Sequence, residues 1–244
     1  NIQGIDNGDY QLGTVQSDVM HYAYNGIRSF ETDGKIESFR TVAGLYAEAV
    51  QLVTVNPDIK SVADLKGKKV SIGAPGSGVY LNAMDVLAAA GLTESDITPQ
   101  YQNFDESADA LKDGKIDAAF IVAGAPTPAI SELSLTNKNT TIVPIDGDIA
   151  DKLMESNTFY SVYKIPAGTY ENQKADIATV TVKATLIVST DADEEAVYNV
   201  TKAIFDNIDA ITAAHAKGAE LSLENATSGM TAPFHAGAAK YFKE

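Results

Sequence analysis

The sequence contains no cysteine, which excludes disulfides and thiolate metal sites. Basic residues are scarce. Eighteen Lys and Arg stand against 33 Asp and Glu, for a net charge of -15. Such a chain has nothing to neutralise a phosphate backbone, so nucleic acid is excluded as a partner. An anionic membrane surface is excluded on the same ground. A small acidic ligand is not, because a site is local and net charge is not. Only two arginines occur, Arg28 and Arg40, and neither falls in a loop expected to face a ligand. The bidentate clamp most often used for carboxylates is therefore missing. No apolar run approaches the ~18 residues that cross a bilayer. The three histidines, His21, His215 and His235, are scattered. None has a carboxylate or second histidine at ligand spacing, so no metal and no cofactor is expected. The run from Asp191 to Glu195 lacks the glycine and spacing of a calcium loop and reads as a solvated helix start.

What is present is a stretch running from Lys69 to Tyr80 and on to Ala90. Lys69–Ile72 reads as a short buried strand, Gly73–Gly78 as a tight loop and Val79–Ala90 as a helix. Tyr80, Ala83, Met84 and Leu87 share one face of that helix, and Gly91 stands at its C-terminal end. A strand, a glycine-rich turn and a helix N-terminus make an anion site. The first-turn N–H groups lack partners, the helix dipole is positive there, and glycine permits close approach. The catalytic versions of the loop fail. Val79-Tyr80 stands where a phosphate-binding Lys-Ser/Thr would be, Leu81 breaks a dinucleotide fingerprint, and Pro75 and Val79 flank Ser77 where a nucleophile elbow needs glycine. The loop reads as built to bind; the plain alternative is a strand-to-helix turn.

Taken in order, Asn1–Asp9 reads as the tail of a loop and Tyr10–Val15 as a strand. Ser17 or Asp18 caps a helix that ends near Asn25. Phe39–Leu45 and Glu48–Val55 read as two strands with Tyr46 between them. A short helix at Asp105–Asp113 is followed by a strand at Ile116–Val122, a break at Gly124-Ala-Pro126 and a helix with Pro128 in its first position. Ile177–Val188 is a β-branched run, longer than a mean strand of ~6 residues, and such a run often passes between two sheets. Asp191 with Glu194 starts a long helix at Asp193–Ala214. Ala226–Pro233 reads as a loop and His235–Phe242 as the last helix. Alternating strands and helices predict an α/β chain with parallel-type, helix-covered sheets. Crossings near Val55–Asp64 and Thr179–Val188 predict two lobes, 1–63 with 180–244 and 64–179, and a ligand cleft between them.

Several pieces stand in one order: Val15-Gln-Ser-Asp18, Gly44-Leu-Tyr-Ala-Glu48, Asp64-Leu-Lys-Gly-Lys68, Gly73-Ala-Pro-Gly-Ser-Gly78, Asp113-Gly-Lys-Ile-Asp-Ala118, Gly124-Ala-Pro126 and His235-Ala-Gly-Ala-Ala-Lys-Tyr-Phe-Lys243. The ordered set resembles the TAXI family of TRAP transporter solute-binding proteins, over essentially the whole chain. The resemblance implies a two-lobed fold of the periplasmic-binding-protein type II kind. It also implies capture of a small carboxylate, such as glutamate, glutamine or a 2-oxo acid, and its delivery to the membrane subunits of a TRAP transporter. The implied location is periplasmic or the extracellular face, free or tethered as a lipoprotein. Ala47 replaces a proline usual in the family, and Phe234-His-Ala-Gly-Ala238 replaces a Leu-His-Pro-Gly-Ala-like stretch. The family's opening strand, glycine-rich loop and helix have no counterpart before the Gln-Ser-Asp strand, and no leader is present. The chain is thus expected to be processed or truncated, with a first lobe short of a central strand.

The candidate ligand contacts are the backbone N–H groups of Gly76, Ser77, Gly78 and Val79, with the Ser77 hydroxyl. Gln16 and Ser17 join them at a strand's carboxyl end, where open α/β sheets bind ligands; Ser17 reads equally as a helix cap, and Asp18 first as a cap. Tyr46 reads as a ligand contact or a core tyrosine. Gly124 and Pro126 read as a wall of the site or a simple turn. No catalytic residue is expected. Two other functions compete: a ligand-sensing module of a signalling protein, and a serine hydrolase using Ser77 with His235 as base.

Overall fold

The computed structural model describes all residues, 1–244. In chain order the elements are α1 Ile2–Asp6, β1 Leu12–Gln16, α2 Ser17–Asn25, β2 Phe39–Thr54, β3 Lys69–Ser71, α3 Gly78–Ala89, β4 Thr98–Gln100, α4 Phe104–Lys112 and β5 Ala118–Ala123. They continue with α5 Pro128–Thr136, β6 Thr141–Val143, α6 Gly147–Ser156, β7 Ser161–Ile165, β8 Ile177–Ser189, α7 Glu194–Asp206, α8 Ile208–Ala214, α9 Leu223–Thr227 and α10 Ala236–Tyr241. No helix is long and apolar enough to cross a membrane. The chain forms two compact units, 1–47 with 182–244, and 48–181. The strands β2 and β8 each run through both.

In the first unit, β1 pairs antiparallel with the second part of β8, from Leu12↔Val188 to Gln16↔Ala184. Val42, Ala43, Leu186 and Val188 bury their side chains against Val197 and Phe205 of α7 and Ala238 of α10. A cluster of edge-to-face and stacked rings (Phe205, Phe234, Tyr241 and Phe242) closes that core.

In the second unit, β3 lies between β4 and β5 and is parallel to both, with Val70 opposite Pro99 and Ala118. The second part of β2 pairs antiparallel with β5, from Ala49↔Ala123 to Thr54↔Ala118. It also pairs antiparallel with β6, and the start of β8 does so with β7. Val53, Leu111, Ile121, Ile130 and Leu133 form the buried core between this sheet and its helices.

Several elements differ from the sequence reading. The sheets are mixed, not parallel-type throughout: the parallel pairs lie around β3, where α3 and α4 make the crossovers, while β1, β6 and β7 pair antiparallel with the long strands. Residues 1–9 are not a loop tail, because Ile2 and Ile5 sit one turn apart and are both buried by forming α1. β2 is one strand of 16 residues, so Tyr46 is mid-strand; the half-buried stretch at 45–48 blurs the alternation without breaking the backbone. The long helix is broken at Asn207, whose φ of -121° and ψ of 28° are not helical and whose side-chain Nδ2 donates to Ala203 O. Asp193, not Asp191, caps α7, accepting from Ala196 N. The expected loop at 226–233 instead begins with the end of α9, capped by Ser222. On α3 the buried face is Leu81, Asn82, Ala83, Val86 and Leu87, and Tyr80 and Met84 flank it half-buried.

Candidate functional site

Because β3, β4 and β5 are parallel, their carboxyl ends lie together at one end of the second unit. The chain leaves β3 through Ile72 and turns at Gly73 and Gly76, both at φ +77°. Ser77 caps α3, its Oγ accepting from Tyr80 N at 3.1 Å, and Leu81 N closes on Ser77 O. The helix therefore starts at Gly78, one residue before the expected position. The N–H of Ser77 is taken by Ala74 O at 3.0 Å, so it is not available to a ligand. Those of Gly76, Gly78 and Val79 make no hydrogen bond within the protein. Three donors thus remain at a helix N-terminus, where a negative group is favoured. The Ser77 oxygen accepts the cap bond, which leaves its proton for a further acceptor. Ser77→Ala should cost about 1 kcal/mol of stability through the lost cap, and Ser77→Gly only a few tenths. Urea unfolding of the two variants checks this.

The same end of the sheet carries two further turns. Gln102 follows β4, and its buried Oε1 has no hydrogen-bond partner. Gly124 follows β5, ahead of a cis Ala125–Pro126 bond and Thr127. This turn is held by a buried network. Tyr170 Oη donates to Gln51 Oε1 at 2.5 Å and accepts from Thr127 N at 2.9 Å. Gln51 Nε2 donates to Thr127 Oγ1 at 3.0 Å, and that hydroxyl donates to Gly124 O at 3.0 Å. Burial pushes the Tyr170 phenol above its usual range, which keeps it a donor. Gly124 is thus part of a fastened turn. Tyr170→Phe leaves Gln51 Oε1 and Thr127 N without their shared partner. The expected cost is about 1–3 kcal/mol, read from urea unfolding.

In the first unit β1 ends at Gln16, which is buried, and α2 follows at once. Neither Ser17 nor Asp18 is the cap. Gln16 occupies that position without a side-chain capping bond, because the strand runs directly into the helix. The Ser17 hydroxyl accepts from Lys183 N on β8 at 3.3 Å, and fully buried Asp18 accepts from Val19 N. Tyr46 is half-buried. Beside it, Ala47 N donates to Glu220 Oε2 at 2.8 Å, and Glu220 is paired with the buried Lys217. Gln16, Ser17, Gly44 and Lys183 thus lie along the same stretch of β1, β8 and β2, with Tyr46 two residues further along β2; Lys183 was not among the candidates of the sequence. The second unit gathers Gly76, Ser77, Gly78, Val79 and Gly124.

Both arginines serve local contacts. Arg28 lies over the Tyr22 ring, and Arg40 donates to Glu37 O and Phe39 O. His235 is the cap of α10: its Nδ1 accepts from Gly237 N, so the proton sits on Nε2, which faces Ala192 O at 3.1 Å. Both ring nitrogens of His235 are thus engaged within the first unit. No group of three His, Cys, Asp or Glu side chains is arranged to hold a metal.

The family model described as NMT1-like family matches residues 1–244. Among solved structures, the periplasmic aliphatic sulphonate binding protein SsuA from Escherichia coli is 20% identical, with a TM-score of 0.51. The match covers 99% of this chain and 68% of that one. A protein from Bordetella bronchiseptica RB50 is 19% identical with a TM-score of 0.53, over 99% of this chain and 74% of its own. At these identities the likeness is one of fold: the mixed α/β fold of periplasmic binding proteins.

Proposed function

The chain belongs to the NMT1-like family, and from that premise we propose that it is an extracytoplasmic receptor for a small carboxylate of the glutamate, glutamine or 2-oxo acid class. Its two units would be the receptor's two lobes, and it would hand its ligand to the membrane subunits of a TRAP transporter. The observation that carries the reading is the trio of N–H groups at Gly76, Gly78 and Val79, left without partners where α3 begins. A glycine-walled helix N-terminus at the carboxyl ends of parallel strands suits a carboxylate. It supplies positive potential without an arginine. The motifs at Gln16-Ser17, Tyr46 and Gly124 support the TRAP assignment by their order in the chain.

The reading predicts saturable binding without turnover. Isothermal titration of the protein with L-glutamate, L-glutamine, 2-oxoglutarate and succinate should give one-site binding for one class, and chromatography should return the ligand unchanged. Ethanesulfonate in the same series separates a carboxylate receptor from a sulfonate receptor. A fluorophosphonate probe should leave Ser77 unlabelled, because His235, the base that reading needs, spends both ring nitrogens on Gly237 N and Ala192 O. Labelling of Ser77 would favour the hydrolase.

A further inference from the structure

Lys183 projects from β8 in the first unit and is half-buried. Its ammonium donates to three neutral acceptors: Asn225 O at 3.1 Å, Ser228 O at 3.0 Å and Ser228 Oγ at 3.0 Å. No carboxylate pairs with it, although acids outnumber bases 33 to 18 in this chain. The lysines that do pair make their bonds with nearby Asp or Glu, mostly at the surface. Partly burying a charge without a counter-ion is costly, and burial lowers the Lys183 pKa with no carboxylate to offset it.

Its neighbours are the residues that sequence and family resemblance single out. The backbone N–H of Lys183 is bonded to Ser17 Oγ, and the next residue, Ala184, faces Gln16 across the β1–β8 ladder. Gly44 leaves the passage for its side chain: a Cβ there would stand 3.0 Å from Lys183 Cδ and 2.7 Å from Asn225 O. Tyr46 lies two residues further along β2.

We propose that Lys183 is the cationic ligand contact in the first unit, supplying the positive charge for the ligand's oxyanion head group that neither arginine supplies. The two carbonyl bonds to Asn225 and Ser228 fix the ammonium. The bond to the exposed Ser228 hydroxyl is the one a ligand oxygen replaces, since that hydroxyl can turn and donate to the same ligand. This deepens the receptor reading and rests on it. A purely structural role, closing the end of α9 through its carbonyls, is the competing account.

The test uses the full chain and the variant Lys183→Gln, whose amide can keep one carbonyl bond but carries no charge. Melting curves are taken for both with L-glutamate, succinate and ethanesulfonate, and dissociation constants by titration. The expected result is a Lys183→Gln protein that melts within a few degrees of the parent but binds the preferred anion at least ~10-fold more weakly, as loss of a charge-assisted bond implies. Equal affinity in parent and variant overturns the assignment to Lys183 and leaves the receptor reading standing. No response of the parent to any of the anions overturns both. Should the variant fail to fold, the Lys183 Cε resonance of the parent, assigned by its absence in Lys183→Arg, decides. A saturable shift with the bound anion supports the contact, and an unmoved resonance under saturation overturns it. The head group that binds separates a carboxylate from a sulfonate ligand.

Discussion

A carboxylate that raises the melting temperature of the native protein should fail to do so for Gly73→Val. Gly73 sits at φ +77°, a region that a β-branched residue essentially never occupies. A Cβ at this position would stand 2.8 Å from Val79 Cβ, 2.9 Å from Val79 Cγ1 and 3.0 Å from Ser77 Oγ. Valine thus meets the two residues that start α3, and relief requires the loop to move. Left-handed backbone costs about 1–2 kcal/mol for an L-residue, and overpacking adds about 1–3 kcal/mol. The fold should survive a loss of that size, while the donors of Gly76, Gly78 and Val79 no longer converge. A ligand at ~100 times its dissociation constant contributes about 2.7 kcal/mol to the native protein, and the variant should retain little of it. Unchanged affinity in a folded Gly73→Val protein would remove the loop from the site.

Gly237→Ala should lose about 3 kcal/mol of stability, the upper end of overpacking costs. A Cβ on Gly237 would lie 2.2 Å from Glu194 O, 2.7 Å from Tyr198 N and 3.1 Å from Val197 Cβ. Two of those atoms are α7 backbone, which cannot rotate away as a side chain would. α10 and α7 approach this closely because the contact residue has no side chain. Separating them would open the packing of Val197, Phe205 and Ala238. Urea unfolding should show a lower midpoint with an unchanged slope, the mark of lost stability in an intact fold. A loss under 1 kcal/mol would mean that α10 shifts at little cost.

Legibility in the sequence followed range. The Gly73–Gly78 loop and α3 could be read because their signals are local: a buried strand, glycines in tight turns and an apolar helix. The run at 177–188 could be read as one strand for the same reason. α1 could not, since two isoleucines in a polar stretch make a pattern of a single turn. Tyr46 sat in a dip of hydrophobic alternation that looked like a strand end and is a half-buried stretch of a continuous strand. Ser17 and Asp18 are favoured cap residues, yet Gln16 takes the cap position because β1 runs directly into α2. Lys183 gave no signal. It is one lysine in a β-branched strand, and its lack of a counter-ion depends on which residues from 17, 44 and 225–230 surround it. The antiparallel pairing of β2 with β5 and of β8 with β1 was equally hidden, because register between distant strands is a tertiary property.

The central claim is that this chain captures a small carboxylate, and a thermal-shift screen tests it most directly. The protein is melted alone and with L-glutamate, L-glutamine, 2-oxoglutarate and succinate, each far above micromolar concentration. For a chain of this size about 2.7 kcal/mol of ligand stabilisation corresponds to roughly 5–10 °C. The account predicts a selective upward shift of that order with one class of carboxylate. Melting curves that coincide with and without all four would contradict it.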